Sequence, residues 1–462
     1  MAKQNWQNRK IVILGAARQG LALARYLNAQ GARVTLSDMR SPEELAQARQ
    51  SLSNSDIQWV LGEHPSSLLD QADLLCLSGG IPLDLPIVIE AQRRGVALSN
   101  DSQIFMQAVS SPIIGITGSA GKTTTTTLVG RVMKAFYEPE QKVWVGGNIG
   151  LPLIDKVDEI QPADRVVLEL SSFQLEQMTM SPQIAAVLNI TPNHLDRHGT
   201  LEAYTNAKAR ILDFQPPDSI AVLNREDMGS WNLRSRVKGE LVSFGLRRPH
   251  GPFRGSYIED GWCCLQTPQG VINVCLQESI TLRGEHNLLN VLAAFAICEA
   301  AGCNPQAMTA GVQDFKGVSH RLEFIREFRG AKWYNDSIAT APERSMAAIR
   351  SFSEPLLLLL GGRDKNLPWQ GLSELVAQRV DQVIIFGEAA PKILQSLQAA
   401  QNPVQPLKVR VVQQLQDAVI AAAEMVKPGS VVLLSPGGTS FDEFKDFEER
   451  GERYCAWVNQ LT

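Results

Sequence analysis

Ile113-Ile-Gly-Ile-Thr-Gly-Ser-Ala-Gly-Lys-Thr-Thr124 runs from an apolar segment through glycines to a lysine and threonines. It reads as strand, phosphate loop and helix. In such a loop successive backbone N–H groups turn inward to hold phosphate oxygens, and the following helix adds its positive N-terminal end. Gly118, Ser119, Ala120, Gly121, Lys122, Thr123 and Thr124 are therefore the candidate nucleotide-binding residues. Lys122 is placed to reach the terminal phosphates and the Thr123 hydroxyl to face Mg²⁺. Position 116 is Ile where the strict G-x-x-x-x-G-K-[ST] pattern has Gly, so the loop is a variant, T-G-x-x-G-K-T. An accidental Gly-Lys-Thr in a turn would lack the strand before it and the helix-compatible segment after it.

A chain of 462 residues is long enough for several domains, each with a proper core. The balance of 44 basic and 48 acidic side chains, without a long basic run, gives no footprint for nucleic acid. The seven cysteines are odd in number and scattered, without a C-x-x-C pair, which suggests reduced thiols in a cytoplasm. The polar start Met-Ala-Lys-Gln-Asn-Trp runs straight into a strand, so no signal peptide is expected. Apolar runs such as Pro355–Leu360 are far too short to cross a bilayer. A cytoplasmic protein without membrane insertion is expected.

The pattern predicts three α/β domains, over residues 1–108, 109–316 and 317–462. In the first, Lys10–Leu14, the turn Gly15-Ala-Ala-Arg-Gln-Gly20, a helix to Gln30 and the strand Arg33–Asp38 have the spacing of a βαβ nucleotide unit, a Rossmann-like start. Ala17 breaks the G-x-G-x-x-G fingerprint, which argues against NAD. Asp38 ends its strand where an acid meets a ribose or base edge. Strands at Asp73–Leu77 and Val96–Leu98 follow. The central, phosphate-loop ATPase-like domain carries strands at Arg165–Glu169 and Ile184–Leu188, then short alternating segments between Glu240 and Leu282 that suggest a small antiparallel sheet, then a helix over Asn287–Ala301. The last domain alternates strands at Leu356–Leu360, Gln382–Phe386, Lys408–Val412 and Ser430–Leu434 with helices, again Rossmann-like.

Glu169 ends an apolar strand after the phosphate loop, where a metal-binding acid belongs in a nucleotide-triphosphatase sheet; otherwise it is a surface acid. Asn189-Ile-Thr-Pro-Asn-His-Leu-Asp-Arg197 gathers His194, Asp196 and Arg197 at the next strand end, a density of polar groups that favours function over structure. By spacing alone Lys208, on the following helix, reads as solvated. The tract Thr123–Thr127 is built of poor helix formers, and only its first two members have an evident task.

Taken together, T-G-x-x-G-K-T, Leu168-Glu-Leu-Ser-Ser-Phe-Gln174, the segment ending His194-Leu-Asp-Arg-His198, Ala207-Lys208, His286-Asn-x-x-Asn290, His320-Arg321 and Asn335-Asp336-Ser337 occur in an order that resembles the Mur ligases. Matching motifs run from about residue 11 to residue 450, and Leu434–Gly451 resembles the D-glutamate-adding branch. The resemblance implies ATP-dependent amide ligation in peptidoglycan synthesis through an acyl phosphate, joining D-glutamate to UDP-N-acetylmuramoyl-L-alanine. It implies two Mg²⁺ ions, one on Thr123 and Glu169 and one on His194 and a carbamylated Lys208, with Lys122, His194 and Lys208 catalytic. It assigns Asn287, Asn290, Arg321 and Asp336 to the adenosine end of ATP. Asp38 and Arg40, with Ser78 and Asn148 nearby, are assigned to the uridine diphosphate, and Thr340, Lys365, Ser440 and Phe447 to D-glutamate. A monomer is expected. Two positions depart from the family pattern: Ala120 replaces an asparagine common in the phosphate loop, and Ile338 a lysine found in some members.

The nearest alternatives are another muramyl ligase, although the D-N-P-R segment of the diamino-acid-adding branch is absent, and a folylpolyglutamate synthase-like amide ligase, which should lack the first hundred residues. A phosphate-loop switch would turn over ATP without an acceptor. A non-catalytic binding module would not need Glu169, His194 and Lys208 together.

Overall fold

A computed structural model describes residues 4–150, 152–251, 253–365, 367–400 and 407–462, with the side chain of Asp196 outside the described set. The chain divides into two compact units, residues 1–280 with 285–313 and residues 281–284 with 314–462. Three β-sheets form their frames.

The first sheet comprises β1 (Lys10–Leu14), β2 (Arg33–Asp38), β3 (Ile57–Leu61), β4 (Leu74–Leu77) and β5 (Ala97–Ser99). Its order is β3-β2-β1-β4-β5 and every pairing is parallel. Strand order reverses at β1, so the loop after it opens a crevice flanked by the ends of β2 and β4. Gly15 has φ +94°, and a Cβ there would meet Ser78 Cβ at 3.0 Å. At Gly20 a Cβ would lie 1.9 Å from the Gly15 carbonyl oxygen, so the helix Arg18–Ala29 can leave the loop only from a glycine.

The second sheet lies in the same unit and contains β6 (Ile113–Thr117), β7 (Val143–Gly147), β8 (Arg165–Glu169), β9 (Ile184–Val187), β10 (Ile220–Asn224), β11 (Glu240–Phe244), β12 (Arg254–Glu259), β13 (Trp262–Thr267) and β14 (Gly270–Leu276). The nine strands follow the order β14-β13-β12-β11-β10-β9-β6-β8-β7. Pairing is parallel from β7 to β12 and antiparallel through β13 and β14. Of the alternating segments between Glu240 and Leu282, β12, β13 and β14 pair antiparallel as expected, whereas β11 is parallel to both β10 and β12, so the run continues the central sheet rather than standing beside it. β6 is the switch point here, with β8 on one side and β9 on the other, and the phosphate loop leaves its C-terminal end.

The third sheet belongs to the other unit: β15 (Glu323–Phe328), β16 (Ala331–Asn335), β17 (Leu356–Gly361), β18 (Gln382–Phe386), β19 (Lys408–Val411) and β20 (Val431–Gly437). Its order is β15-β16-β20-β17-β18-β19, parallel except for the edge hairpin β15–β16. The loops after β16, β20 and β17 therefore emerge side by side.

Inner strands such as Val166–Leu168, Leu356–Leu360 and Val431–Leu434 are buried on both faces, as their unbroken apolar runs require. Pattern reading overlooks β3, whose residues are only half-buried, β7, β10 and the hairpin β15–β16. β15 is Glu-Phe-Ile-Arg-Glu-Phe, charged and partly exposed, and what defines the hairpin is its turn. Arg329 and Gly330 both have positive φ, 50° and 73°, the combination that suits the right-handed twist of a tight hairpin. Among the described residues no helix is long and apolar enough to cross a membrane.

Candidate functional site

The phosphate loop closes onto the end of β9 through a clasp absent from the sequence expectations. Asn189 Oδ1 accepts the Ala120 N–H at 2.8 Å, and Asn189 Nδ2 donates to the Ala120 carbonyl at 3.1 Å. The Ser119 N–H reaches the Asn189 carbonyl at 2.9 Å, and Ser119 Oγ bonds the carbonyl and the N–H of Thr191, each at 3.0 Å. Only main-chain atoms of residue 120 take part, which is why Ala120 is tolerated. The signal was available: Asn189 follows a strand that must neighbour the loop strand.

Gly121 caps the helix Lys122–Phe136 with φ +81°, and a Cβ there would lie 2.2 Å from Asn290 Oδ1. Asn290 is buried behind the loop. It hydrogen-bonds Asn287 at 3.1 Å and accepts the Thr125 hydroxyl at 3.4 Å. Thr124, Thr125 and Thr126 are buried, and Thr127 Oγ1 returns to the Thr123 carbonyl at 2.8 Å. The later threonines of the tract thus serve packing between helices and closure of the helix on itself.

Thr123, Asn148 and Glu169 converge. Glu169 is buried; its Oε2 accepts the Thr123 hydroxyl at 2.8 Å and its Oε1 accepts Asn148 Nδ2 at 3.0 Å. The surface-acid alternative fails. A hydroxyl, a buried carboxylate and an amide oxygen donor at the mouth of a phosphate loop are the hard oxygen set that Mg²⁺ takes, so these residues fit the ion. Asn148, assigned to the uridine diphosphate, sits in this group, although the first sheet is close: Gln19 Nε2 donates to the Gly147 carbonyl at 2.8 Å.

Lys122 Nζ and Lys208 Nζ each lie 2.9 Å from the Gly118 carbonyl oxygen, and Lys208 also reaches Thr117 Oγ1 at 3.3 Å. Lys208 is 1% exposed, which overturns its reading as a solvated side chain. Burial pushes its ammonium well below the ordinary lysine value, the neighbouring Lys122 charge pushes it further, and Glu169 opposes both. Two lysine charges on one carbonyl repel, and burial adds to the pressure on Lys208 to give up its proton.

His194 begins a short helical turn with φ 53° and packs edge-on against Phe173, ring centroids 5.2 Å apart. Among the described residues no three of the His, Cys, Asp and Glu side chains cluster as a metal site.

In the first sheet Asp38 is held tightly. Its Oδ2 accepts the Ala16 N–H at 2.7 Å and Arg40 Nη2 at 2.8 Å, and its Oδ1 accepts Arg40 N and Nε at 2.9 and 3.0 Å. Burial would raise this carboxyl, but the hydrogen bonds from Arg40 and Ala16 outweigh it and hold the group far below the usual carboxylate range. Asp38 thus fixes Arg40 and the loop after β1. Ser78 lies across the crevice, its N–H on the Leu14 carbonyl at 3.0 Å.

In the other unit Asp336 is buried at the end of β16, accepts the Ser435 hydroxyl at 2.8 Å and lies near Arg321; burial pushes its carboxyl up to about 7. Thr340 follows on the same loop. Lys365 stands exposed on the loop after β17, which pairs with the loop carrying Ser440 through reciprocal main-chain bonds of Arg363 and Thr439 at 2.9 and 2.8 Å. Phe447 begins the helix Phe447–Gln460, and its carbonyl accepts the Ser337 hydroxyl at 2.8 Å.

Arg450 falls within Leu434–Gly451, and its residue type alone gives it no role. It is wholly buried and donates to Ser337 Oγ and O at 3.0 and 2.9 Å and to the Gly438 carbonyl at 3.1 Å. It thus ties the loops after β16 and β20 together. Its helical phase, in line with buried Tyr454 and Val458, was the available signal.

Residues 9–100 match the Mur ligase MurD-like N-terminal domain, residues 116–298 the Mur ligase middle domain and residues 320–438 the Mur ligase glutamate ligase domain. The chain is 39% identical over 464 aligned residues to a UDP-N-acetylmuramoylalanine–D-glutamate ligase of Symbiobacterium thermophilum, covering 100% of both chains. It is 38% identical to the like-named protein of Trichlorobacter lovleyi, covering 98% of this chain and 99% of the relative. Among solved structures, its fold resembles UDP-N-acetylmuramate-alanine ligase MurC of Thermotoga maritima, with TM-score 0.58, 20% identity and coverage of 97% and 99%. It also resembles MurF of Acinetobacter baumannii, with TM-score 0.59, 17% identity and coverage of 96% and 93%. Three Mur ligase domain models matched in succession, with full-length relatives 38–39% identical, show that the chain is a member of the Mur ligase family.

Proposed function

We propose that this protein joins D-glutamate to UDP-N-acetylmuramoyl-L-alanine at the expense of ATP, giving ADP and phosphate, as a monomeric cytoplasmic enzyme of peptidoglycan synthesis. Full-length kinship with relatives that bear this name carries the reading. In it residues 1–108 bind the UDP-linked substrate, 109–316 bind ATP and 317–462 bind the amino acid.

A carboxylate resists attack by an amine because oxide is too poor a leaving group. Transfer of the γ-phosphoryl group of ATP to the alanyl carboxylate gives an acyl phosphate and ADP. The D-glutamate amine then forms the amide and expels phosphate. Lys122 neutralises charge that grows on the phosphoryl oxygens, and Asn189, which takes the Ser119 and Ala120 N–H groups, fixes the shape of the loop before substrate arrives. Bound Mg²⁺ supplies further charge neutralisation, and Thr123 and Glu169 are the residues that would hold it. His194 and a carbamylated Lys208 would hold a second ion. Asn287 and Asn290 back the loop from the start of their helix, and with Arg321 and Asp336 complete the set assigned to the adenosine end.

Incubation with ATP, Mg²⁺, UDP-N-acetylmuramoyl-L-alanine and D-glutamate should yield the UDP-linked dipeptide by mass spectrometry. ATP hydrolysis without that product would favour a switch.

Asp38→Ala should raise the KM for the UDP-linked substrate roughly tenfold to a hundredfold, the worth of charge-assisted hydrogen bonds, and leave that for ATP nearly unchanged. Equal effects on both would mean a folding defect. Lys365 is assigned to a D-glutamate carboxylate. Lys365→Ala should raise the D-glutamate KM roughly tenfold, and Lys365→Glu more, through like-charge repulsion. An unchanged D-glutamate KM in both variants removes Lys365 from the site.

A further inference from the structure

Arg197 touches two segments that the proposed reaction uses for different ligands. Its Nη1 donates to the Gly80 carbonyl at 3.0 Å, and its guanidinium carbon lies 4.9 Å from the centre of the Phe173 ring. Gly80 belongs to the turn Ser78-Gly79-Gly80 after β4, beside the crevice assigned to the UDP-linked substrate. Neither Gly79 nor Gly80 has positive φ, and a Cβ added to either would meet nothing within 4 Å. Open space surrounds this turn, so packing does not demand the glycine pair.

Phe173 collects the rest of the His194–His198 segment. The His194 ring meets it edge-on and the His198 ring lies parallel to it, interplanar angle 4°, both with centroids 5.2 Å away. His198 is fixed in turn by Ser172 Oγ at 3.0 Å. Phe173 and Ser172 sit in the helix that leaves the strand ending in Glu169. One aromatic ring therefore connects the turn after β4, through Arg197, to His194 and to the segment that presents Glu169. Arginine suits the place because its guanidinium can donate to a carbonyl and stack on a ring at once; lysine cannot do both with the same geometry.

The geometry points to Arg197 and Phe173 as positioning residues that couple the two ligands, so that the UDP-linked substrate on the turn after β4 tightens the hold on ATP at the phosphate loop, and the reverse. This rests on the assignment of the two ligands made above. Linkage requires the effect to be equal in both directions.

The test is calorimetric titration of the full chain with a non-hydrolysable ATP analogue and Mg²⁺, alone and with saturating UDP-N-acetylmuramoyl-L-alanine, and the converse pair. In the unmodified protein each ligand should strengthen the other roughly fivefold or more, the usual range of such couplings. In Arg197→Ala and Phe173→Leu the mutual effect should fall to less than about twofold while each affinity measured alone stays close to normal, and Phe173→Tyr should restore it. A merely structural role would move the single affinities or the melting temperature and leave their ratio intact, which would overturn the inference. Coupling absent from the unmodified protein, or preserved in both variants, would overturn it as well. Failure of the unmodified protein to bind either ligand would instead bring down the functional reading, and this inference with it.

Discussion

Lys122→Ala should abolish ligation, lowering turnover on the order of a hundredfold to a thousandfold or more, while the melting temperature stays near normal. Removing one preorganised group that acts on developing charge costs about 3 kcal/mol or more. Lys122 contributes no core packing: its Nζ bonds the loop carbonyls of Gly118 and Ser119, at 2.9 and 3.4 Å. The buried Gly118 carbonyl keeps Lys208 Nζ at 2.9 Å in the variant and Ser119 is only half-buried, so the fold should survive. Steady-state ATP turnover and a thermal melt check both halves. A near-normal rate would mean that the loop is not where phosphoryl transfer occurs.

Activity should also depend on carbon dioxide. Lys208 is buried beside Lys122, and burial first and that charge second push its amine toward the neutral form. A neutral amine is the form that adds CO₂, giving a carbamate and releasing a proton. The product carries oxygens that a cation can use, whereas an ammonium repels one. Degassed, bicarbonate-free buffer should lower the rate, and bicarbonate should restore it. Lys208→Ala should lose on the order of a hundredfold in turnover, with partial recovery in acetate or formate and none in methylamine. Rescue by the amine alone would make Lys208 an ordinary ammonium. A crystal structure at neutral pH gives the direct check, since density ending at Nζ would count against the carbamate.

The phosphate loop was plain in the sequence because its glycines answer to local geometry: Gly121 needs its left-handed φ wherever the rest of the chain goes. Inner parallel strands such as β8, β17 and β20 were plain because burial on both faces leaves an unbroken apolar run, whereas the equally buried β10, Ile220–Asn224, was passed over. Lys208 was misread from spacing because a lysine on a helix looks alike whether it meets water or the back of a phosphate loop. Only the packing of its helix, Leu201–Asp213, beneath β6 decides that. Asn189 and Arg450 escaped assignment for a related reason. Their partners are main-chain atoms, Ala120 N and O for one and the Ser337 and Gly438 carbonyls for the other, and main-chain atoms leave no residue-type signature. The alternating segments between Glu240 and Leu282 were legible as strands. Their continuity with the central sheet depends on the single parallel pairing of β11 with β12, which no local pattern encodes.

The most direct test of the central claim is ADP release measured with ATP, Mg²⁺ and UDP-N-acetylmuramoyl-L-alanine while D-glutamate, L-glutamate, L-lysine and glycine are offered in turn. Rapid release with D-glutamate, and little with the other acceptors or with none, is the predicted result. Equal release with every acceptor, or release that needs none of them, would contradict a D-glutamate ligase.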